Sequence, residues 1–190
     1  MAFSVTEFKS NLKQGGARAS LFTVDLLFPN GVTTPPTRSD FLIRSSSIPA
    51  SNIGTHEVYF HGKGIKIAGD RTYDTWDTTI INDEDFGIRK SIEEWMNLVS
   101  DSKLNNRDTT FSNAEGENVD YKKTLTVKQF GKTGNLLRSY RFINAFPTAL
   151  SPIALDWASS DLEEFTCTWT YDYWESTSSS SDNSNFIGGT

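Results

Sequence analysis

The sequence predicts a mainly β fold: a two-sheet β-sandwich or a partly open β-barrel with one amphipathic α-helix. About nine short runs alternate apolar and polar residues, which is typical of half-buried strands. A single segment has the spacing of an amphipathic helix. Thirteen Phe, six Tyr and five Trp among 190 residues favour strands and interfaces. A chain of this length fits one domain, which we place at residues 1–175.

The N-terminal part predicts an arm followed by strands. Residues 1–19 are mostly polar or small and form a possible N-terminal arm. The run SLFTVDLLF then alternates apolar residues as a strand does, and PNG at 29–31 marks a turn. After the proline-containing loop TTPPTRSD, the runs FLIR and HEVYF predict two further short strands.

The stretch IKIAGDRTYDTWDTTIINDED predicts two strands and the start of a helix. GIKIA and TWDTTII read as strands joined by a turn at GDRTYD, where Gly69 can adopt a positive φ and Asp70 can fold back on the backbone. The segment NDED predicts a helix cap formed by Asn82, Asp83 and Glu84. Apolar residues then recur at helical spacing: Ile88, Ile92, Trp95, Met96 and Val99.

The C-terminal half predicts a long loop, a hairpin and a final strand. Residues 100–120 are polar and rich in turn formers, so we expect a surface loop. A β-hairpin is predicted where GKTGN lies between the strand-like runs KKTLTVKQF and LLRSYRFI. The segment FPTALSP then breaks the strand pattern, and IALDW predicts a short strand. EEFTCTWTYDYW alternates as a strand, and the serine-rich residues 176–190 predict a disordered tail.

Large aromatic residues at strand or helix positions are expected to anchor the core. The predicted anchors are Trp76, Trp95, Trp157, Trp169 and Tyr173.

Composition argues against several classes of protein. A formal net charge of −6 does not suit a general nucleic-acid binder, which needs clustered Lys and Arg. Neither a signal peptide nor an apolar run long enough for a membrane anchor is recognisable. The single cysteine, Cys167, cannot form an internal disulfide, so a reducing compartment is expected.

No motif for catalysis, a cofactor or a metal is complete. Gly64 and Gly69 have the spacing that begins a phosphate-binding loop, but Asp70 follows where such a loop requires Lys. His56 and His61 should point to opposite faces of a strand, which disfavours zinc binding. Cys167 lacks a nearby base and reads as a buried apolar residue. We therefore expect no enzyme activity, no cofactor and no metal.

The acidic cluster around GDRTYD permits one different hypothesis. Paired carboxylates and exposed aromatic rings could form a carbohydrate-binding or carbohydrate-hydrolysing β-sandwich. The same acids are explained without a substrate by turn formation, solvent exposure and the helix dipole. We prefer this second interpretation.

Several motifs occur together in an order that resembles the tail tube protein family of T4-like contractile phages. They are RASLFTVDL, AGDRTYDTWD followed by NDED and EEWMNL, VKQFGKTGN, INAFPTALSPIALDW and DYWE. The resemblance covers roughly residues 17–175. The tube-initiator protein of the baseplate and the tube proteins of secretion systems are related alternatives.

The resemblance implies a structural virion protein that forms hexameric rings, with the sheet edges completed by neighbouring subunits. Stacked rings would form the inner tail tube and the conduit for genome ejection. The implied partners are other copies, the sheath, the tape-measure protein and then DNA in the lumen, and baseplate and terminator proteins at the ends. Assembly would take place in the host cytoplasm. The charged segment Gly69, Asp70, Arg71, Thr72, Tyr73 and Asp74 is the candidate subunit interface.

Overall fold

The computed structural model describes residues 4–11, 16–32, 39–101 and 121–178. This part contains nine β-strands and two α-helices, together with a 3₁₀ turn at Ser39–Phe41. The strands are β1 Phe22–Asp25, β2 Ile43–Ser46, β3 Asn52–Phe60, β4 Lys63–Thr72, β5 Trp76–Ile81, β6 Lys123–Phe130, β7 Leu136–Leu150, β8 Glu164–Thr170 and β9 Tyr173–Ser178. The helices are α1 Val5–Asn11 and α2 Gly87–Val99.

Seven strands form one antiparallel sheet in the order β1-β6-β7-β8-β5-β2, and β9 also pairs with β7. The long strand β7 joins two halves of this sheet, because β9 pairs with its first half and β8 with its second. Asn144, with φ of 57°, lies where the pairing changes. In the described residues the sheet is not closed into a barrel, which confirms the prediction of a mainly β, open architecture.

Aromatic rings pack in the core between the main sheet and α2. Trp76 stacks on Phe142 at 4.2 Å between ring centroids, and Trp95 lies 5.6 Å from Trp169. The indole N–H of Trp95 donates to the Tyr121 carbonyl oxygen, and that of Trp169 donates to the Thr78 hydroxyl. These donors are thus paired inside the core, where an unpaired N–H would cost about 1–3 kcal/mol.

Two predicted core anchors require correction, because Trp157 is fully exposed and Tyr173 is 42% exposed. Trp157 lies in a turn between β7 and β8, and the predicted strand IALDW is absent from these described residues. The chain leaves the strand conformation at Tyr171–Asp172, so the side chains of β9 do not continue the alternation of inward- and outward-facing residues that β8 follows. Trp174 packs against the core where Tyr173 was expected.

Helix α2 begins later than the NDED segment predicts. The helix starts at Gly87, and its N-cap position is Phe86, which makes no side-chain capping hydrogen bond. Asp83 accepts a hydrogen bond from the Gly87 N–H at 3.1 Å, so it satisfies one donor of the first turn. The capping role predicted for Asn82 and Glu84 is incorrect. Asn82 binds Glu163 through its backbone N–H and its side chain, and Glu84 is exposed.

Further differences from the predicted boundaries affect β7, β9 and the N-terminal arm. Strand β7 continues through FPTAL to Leu150, and a register shift at Pro147 accommodates the residue that has no N–H donor. Strand β9 reaches Ser178, so the first residues of the predicted tail belong to the sheet. The N-terminal arm contains the short helix α1, whose described side chains are exposed. Most of the predicted loop 100–120 and the tail beyond Ser178 lie outside the described residues.

Candidate assembly surfaces

The hairpin formed by β3 and β4 is exposed along almost its whole length. A two-residue turn joins the strands, with φ of 48° at His61 and 80° at Gly62, as in the type I′ turns that fit the twist of a hairpin. Among the described residues the two strands pair only with each other. All their residues are exposed except Gly69, which is half-buried. The hairpin therefore extends from the body of the protein.

The predicted turn at Gly69 and Asp70 is incorrect, because both residues lie within β4. Ile53 pairs with Arg71 and Thr55 with Ala68, so Gly69 and Asp70 together oppose the single residue between Ile53 and Thr55. This arrangement is a β-bulge, and the strand ends only after Thr72. The sequence signals that suggest a turn thus mark a bulge within a strand.

A close approach explains why a glycine lies in the bulge. A Cβ atom at Gly69 would lie 2.9 Å from His56 Cδ2 and 3.1 Å from the Gly54 carbonyl oxygen. Contacts this short force the imidazole or the facing strand to move. Gly69 does not adopt the positive φ that glycine would permit in the predicted turn.

The base of the hairpin is fastened to the core. The Asn52 side-chain amide donates to Asp74 Oδ2 at 2.9 Å. Upstream of β3, the Trp174 indole N–H donates to the Ala50 carbonyl oxygen at 3.2 Å. Tyr73 packs against the core with its ring 6.1 Å from that of Tyr171. The predicted interface segment is therefore divided: Tyr73 and Asp74 lie at the base, whereas Gly69–Thr72 lie in the projecting strand.

The two faces of the hairpin differ in composition, and one of them is mainly apolar, since directly paired residues share a face. His56 pairs with Ile67, Val58 with Ile65 and Phe60 with Lys63. We call the surface of these six residues the apolar hairpin face. Each of its four apolar side chains is more than half exposed: Val58, Phe60, Ile65 and Ile67.

The opposite face of the hairpin carries charged residues, together with the exposed side chains of Ile53 and Tyr59. Glu57 pairs with Lys66, and it accepts a hydrogen bond from the Tyr59 hydroxyl at 3.0 Å. Ile53 and Glu57 point to the same side of β3, because they are four residues apart. Arg71, from the predicted interface segment, pairs with Ile53 and therefore lies on this face as well. The position of Arg71 is thus consistent with an interface role, but it does not face the apolar surface.

A second exposed apolar surface lies between β7 and β8, and the sequence analysis missed it. Within residues 151–163, which we call the Trp157 loop, Leu155 is 80% exposed, Leu162 is 74% exposed and Trp157 is fully exposed. The apolar spacing of IALDW suggested a strand and concealed this loop. The signal that could have revealed it is the sequence DWASSD, whose Asp and Ser residues favour turns.

The described residues offer little for covalent or metal chemistry. Burial raises the pKa of the Cys167 thiol, and the charge of Asp77 adds to this effect, so the thiol remains protonated and unreactive. Burial also raises the pKa of Tyr171, with a smaller contribution from Asp74. Within the described ranges, no three or more His, Cys, Asp or Glu residues are grouped so that they could hold a metal ion.

The helices in the described part of the chain do not include one that is both long and apolar enough to cross a membrane.

Comparisons with known proteins identify relatives across nearly the whole described fold. The family model described as phage tail tube protein matches residues 17–177. The tail tube protein gp19 of Enterobacteria phage T4 is 28% identical over 161 residues, covering 84% of this chain and 91% of the relative. The tail tube protein of Serratia phage KSP90 is 23% identical over 173 residues, covering 88% and 94%.

Solved structures of contractile injection systems have a similar fold. A chain from the anti-feeding prophage cap gives a TM-score of 0.61 at 21% identity, covering 85% of this chain and 91% of that chain. A chain from the sheath–tube complex of the extracellular contractile injection system PVC gives 0.52 at 18% identity, covering 93% and 99%. The family match extends from just before β1 into the last strand, β9, and the chain belongs to the phage tail tube protein family.

Proposed function

We propose that this protein is the structural subunit of the inner tail tube of a contractile-tailed phage, in which hexameric rings stack head to tail and form the conduit for genome ejection. The observation that carries this proposal is the family match over residues 17–177, because it spans helix α2, the exposed hairpin and all but the last residue of the main sheet. No catalytic step is required for this function.

The exposed hairpin supports self-assembly on physical grounds. A two-stranded hairpin without other packing is marginally stable in water. Here such a hairpin exposes Val58, Phe60, Ile65 and Ile67 on one face. Burial of this surface against another copy would stabilise both the hairpin and the assembly by about 25 cal/mol for each Å² of apolar surface removed from water.

The edges of the main sheet provide a second means of self-assembly. In the described part of the chain, β1 pairs only with β6 and β2 only with β5. Their outer backbone N–H and C=O groups could pair with strands of neighbouring subunits within a ring. Such pairing would use edges that otherwise promote uncontrolled aggregation.

The further partners proposed for the tube are the sheath outside, the tape-measure protein and later DNA in the lumen, and baseplate and terminator proteins at the two ends. The PVC structure with a similar fold is titled as a sheath–tube complex, which supports a sheath partner by analogy. A formal charge of −6 per subunit would help DNA to slide in the lumen without adhering, since like charges repel. Assembly in the host cytoplasm would precede incorporation into the virion.

Electron microscopy of the purified full chain tests the proposed function. Negatively stained samples at increasing concentration, with and without baseplates as templates, should show six-fold rings or stacked tubes. A chain that remains a compact monomer under all these conditions would contradict the proposal.

A related function is the tube or tube terminator of a contractile injection system. The observation that favours it is the fold shared with the anti-feeding prophage cap chain, at a TM-score of 0.61. Neighbouring genes distinguish the two: capsid and terminase genes indicate a phage, whereas their absence beside sheath and effector genes indicates an injection system.

A further inference from the structure

We infer that the Trp157 loop of one copy binds the apolar hairpin face of another copy, and that this pairing is a principal contact of the assembly. The inference rests on the proposed self-assembly and goes further, because it assigns the two surfaces that meet.

The Trp157 loop is held in a defined conformation although its apolar groups face solvent. Asp156 accepts a hydrogen bond from the Ala158 N–H through Oδ1, and its carbonyl oxygen accepts one from the Ser159 N–H. The Ser159 hydroxyl group accepts from the Asp161 N–H and donates to that residue's carboxylate. Trp157 is thus presented by a turn whose conformation its neighbours fix, which reduces the entropy lost on binding.

The base of the loop is also fixed to the body. The Thr166 N–H donates to Ser151 Oγ at 2.8 Å, and the Ser151 N–H donates to the Thr166 carbonyl oxygen at 2.8 Å. Arg89 donates to the Ser151 carbonyl oxygen, while its guanidinium lies over the Phe165 ring. The loop is therefore a preformed surface on a rigid base.

The apolar groups of the loop have the composition of a binding hot spot. Trp157 shares the exposed loop with Leu155, two residues before it, and Leu162, five residues after it, and Trp is enriched at positions that dominate binding energy. A monomer gains nothing from three large apolar side chains in solvent. Their exposure in a turn with fixed hydrogen bonds indicates a surface that a partner covers.

The charges of the two surfaces are opposite. The Trp157 loop contains the acids Asp156, Asp161 and Glu163 and no basic residue. The apolar hairpin face includes Lys63 beside Phe60 at the tip, and its paired residues include no acid. Opposite charges at the rim of an apolar contact guide the encounter and fix its orientation.

Each copy offers one loop and one hairpin, and both surfaces are exposed in the described monomer. The pairing is therefore heterologous, with different patches of the two copies in contact. Such a contact either closes into a ring or continues as a filament. Both outcomes suit a subunit that forms stacked rings.

Charge reversal tests the pairing in the full chain. Lys63→Glu and Asp161→Lys should each raise the critical concentration for tube formation by about tenfold. In the double variant this concentration should fall most of the way back to the wild-type value, since the pair is re-formed with exchanged signs. Lys90→Glu, a reversal at an exposed position of α2, is the matched control and should change little. Single variants that assemble like the wild type would overturn the inference.

Disulfide trapping provides a second test that does not depend on tube formation. Oxidation of a concentrated Val58→Cys/Leu155→Cys variant should yield covalent oligomers, whereas each single variant should not, because native Cys167 is buried. A disulfide requires Cα atoms within about 7 Å. Wild-type tubes without any cross-link in the double variant would refute the pairing and leave the proposed function intact. Cross-linked oligomers from a wild type that forms neither rings nor tubes would support the pairing and contradict the proposed function.

Discussion

At the scale of single residues, Trp95 and Trp157 show how similar side chains have different roles. Trp95 is completely buried and its indole N–H binds the Tyr121 carbonyl oxygen. Trp95→Ala should therefore reduce the free energy of unfolding by ~3–5 kcal/mol through the cavity it leaves. Urea denaturation of dilute monomer measures this effect, and a loss below about 1 kcal/mol would show that the site collapses around the smaller residue.

Trp157→Ala makes the same substitution as Trp95→Ala, but at a solvent-exposed position. Because the ring is fully exposed, the free energy of unfolding of the monomer should change by less than about 0.5 kcal/mol. Tube formation, measured by sedimentation, should weaken strongly, since the substitution removes the largest apolar group of the Trp157 loop. Normal tube formation by this variant would exclude Trp157 from the subunit contact.

Cys167 should be protected from thiol reagents in the folded protein. Burial raises the pKa of its thiol, so the reactive thiolate is scarce at pH 8 and the sulfur is also inaccessible. In denaturant the thiol regains a pKa near its ordinary ~8.5 and should react rapidly. Above that pH the unfolded chain loses a proton that the folded chain retains, so this residue makes stability fall as pH rises. Rapid labelling of native monomer at pH 8 would contradict the buried placement.

At the scale of elements, the hairpin β3–β4 should be separable from the folded body. Asn52 pairs with Thr72, so their backbones are adjacent and a short Gly-Ser turn can replace residues 53–71. Because the two strands of the hairpin pair only with each other in the described structure, the thermal unfolding midpoint should change by no more than a few degrees. Rings and tubes should be lost. A variant that still forms tubes would show that sheet edges alone drive assembly.

Helix α2 shows what the sequence determines. Ile88, Ile92 and Trp95 recur at helical spacing and are all buried, so the periodic pattern was sufficient to predict the element. Its start was not predictable, because Asn82 binds Glu163 in a segment distant in sequence. Local capping rules cannot anticipate such a contact.

The hairpin shows where local sequence rules fail. The segment GDRTYD contains the residue types of a turn, and the choice between a turn and a bulge depends on the strand that lies opposite. Gly54 approaches Gly69 across the pair, which only the register of the whole hairpin reveals. Trp157 was misplaced for a similar reason, since exposure depends on whether the surrounding residues find a partner strand.

At the scale of the whole molecule, net charge and apolar contact have opposing effects on assembly. Copies with a formal charge of −6 and a pI near 4.9 repel one another at neutral pH. An exposed ion pair contributes only about 0.2–1 kcal/mol, so contacts such as Lys63 with Asp161 orient the subunits but do not offset the total repulsion. The apolar surfaces of the hairpin and the Trp157 loop must therefore supply most of the attraction.

Tube formation should consequently increase with ionic strength. The screening length falls from roughly 30 Å at 0.01 M salt to roughly 8 Å at 0.15 M, which removes most repulsion between whole subunits while apolar contact persists. Sulfate should promote assembly more than chloride at equal ionic strength, since it strengthens the burial of apolar surface. Sedimentation across a salt series measures both effects. If tubes instead dissociate as salt rises, ion pairs dominate the contact, and the apolar surfaces have a smaller part than their exposure in the monomer implies.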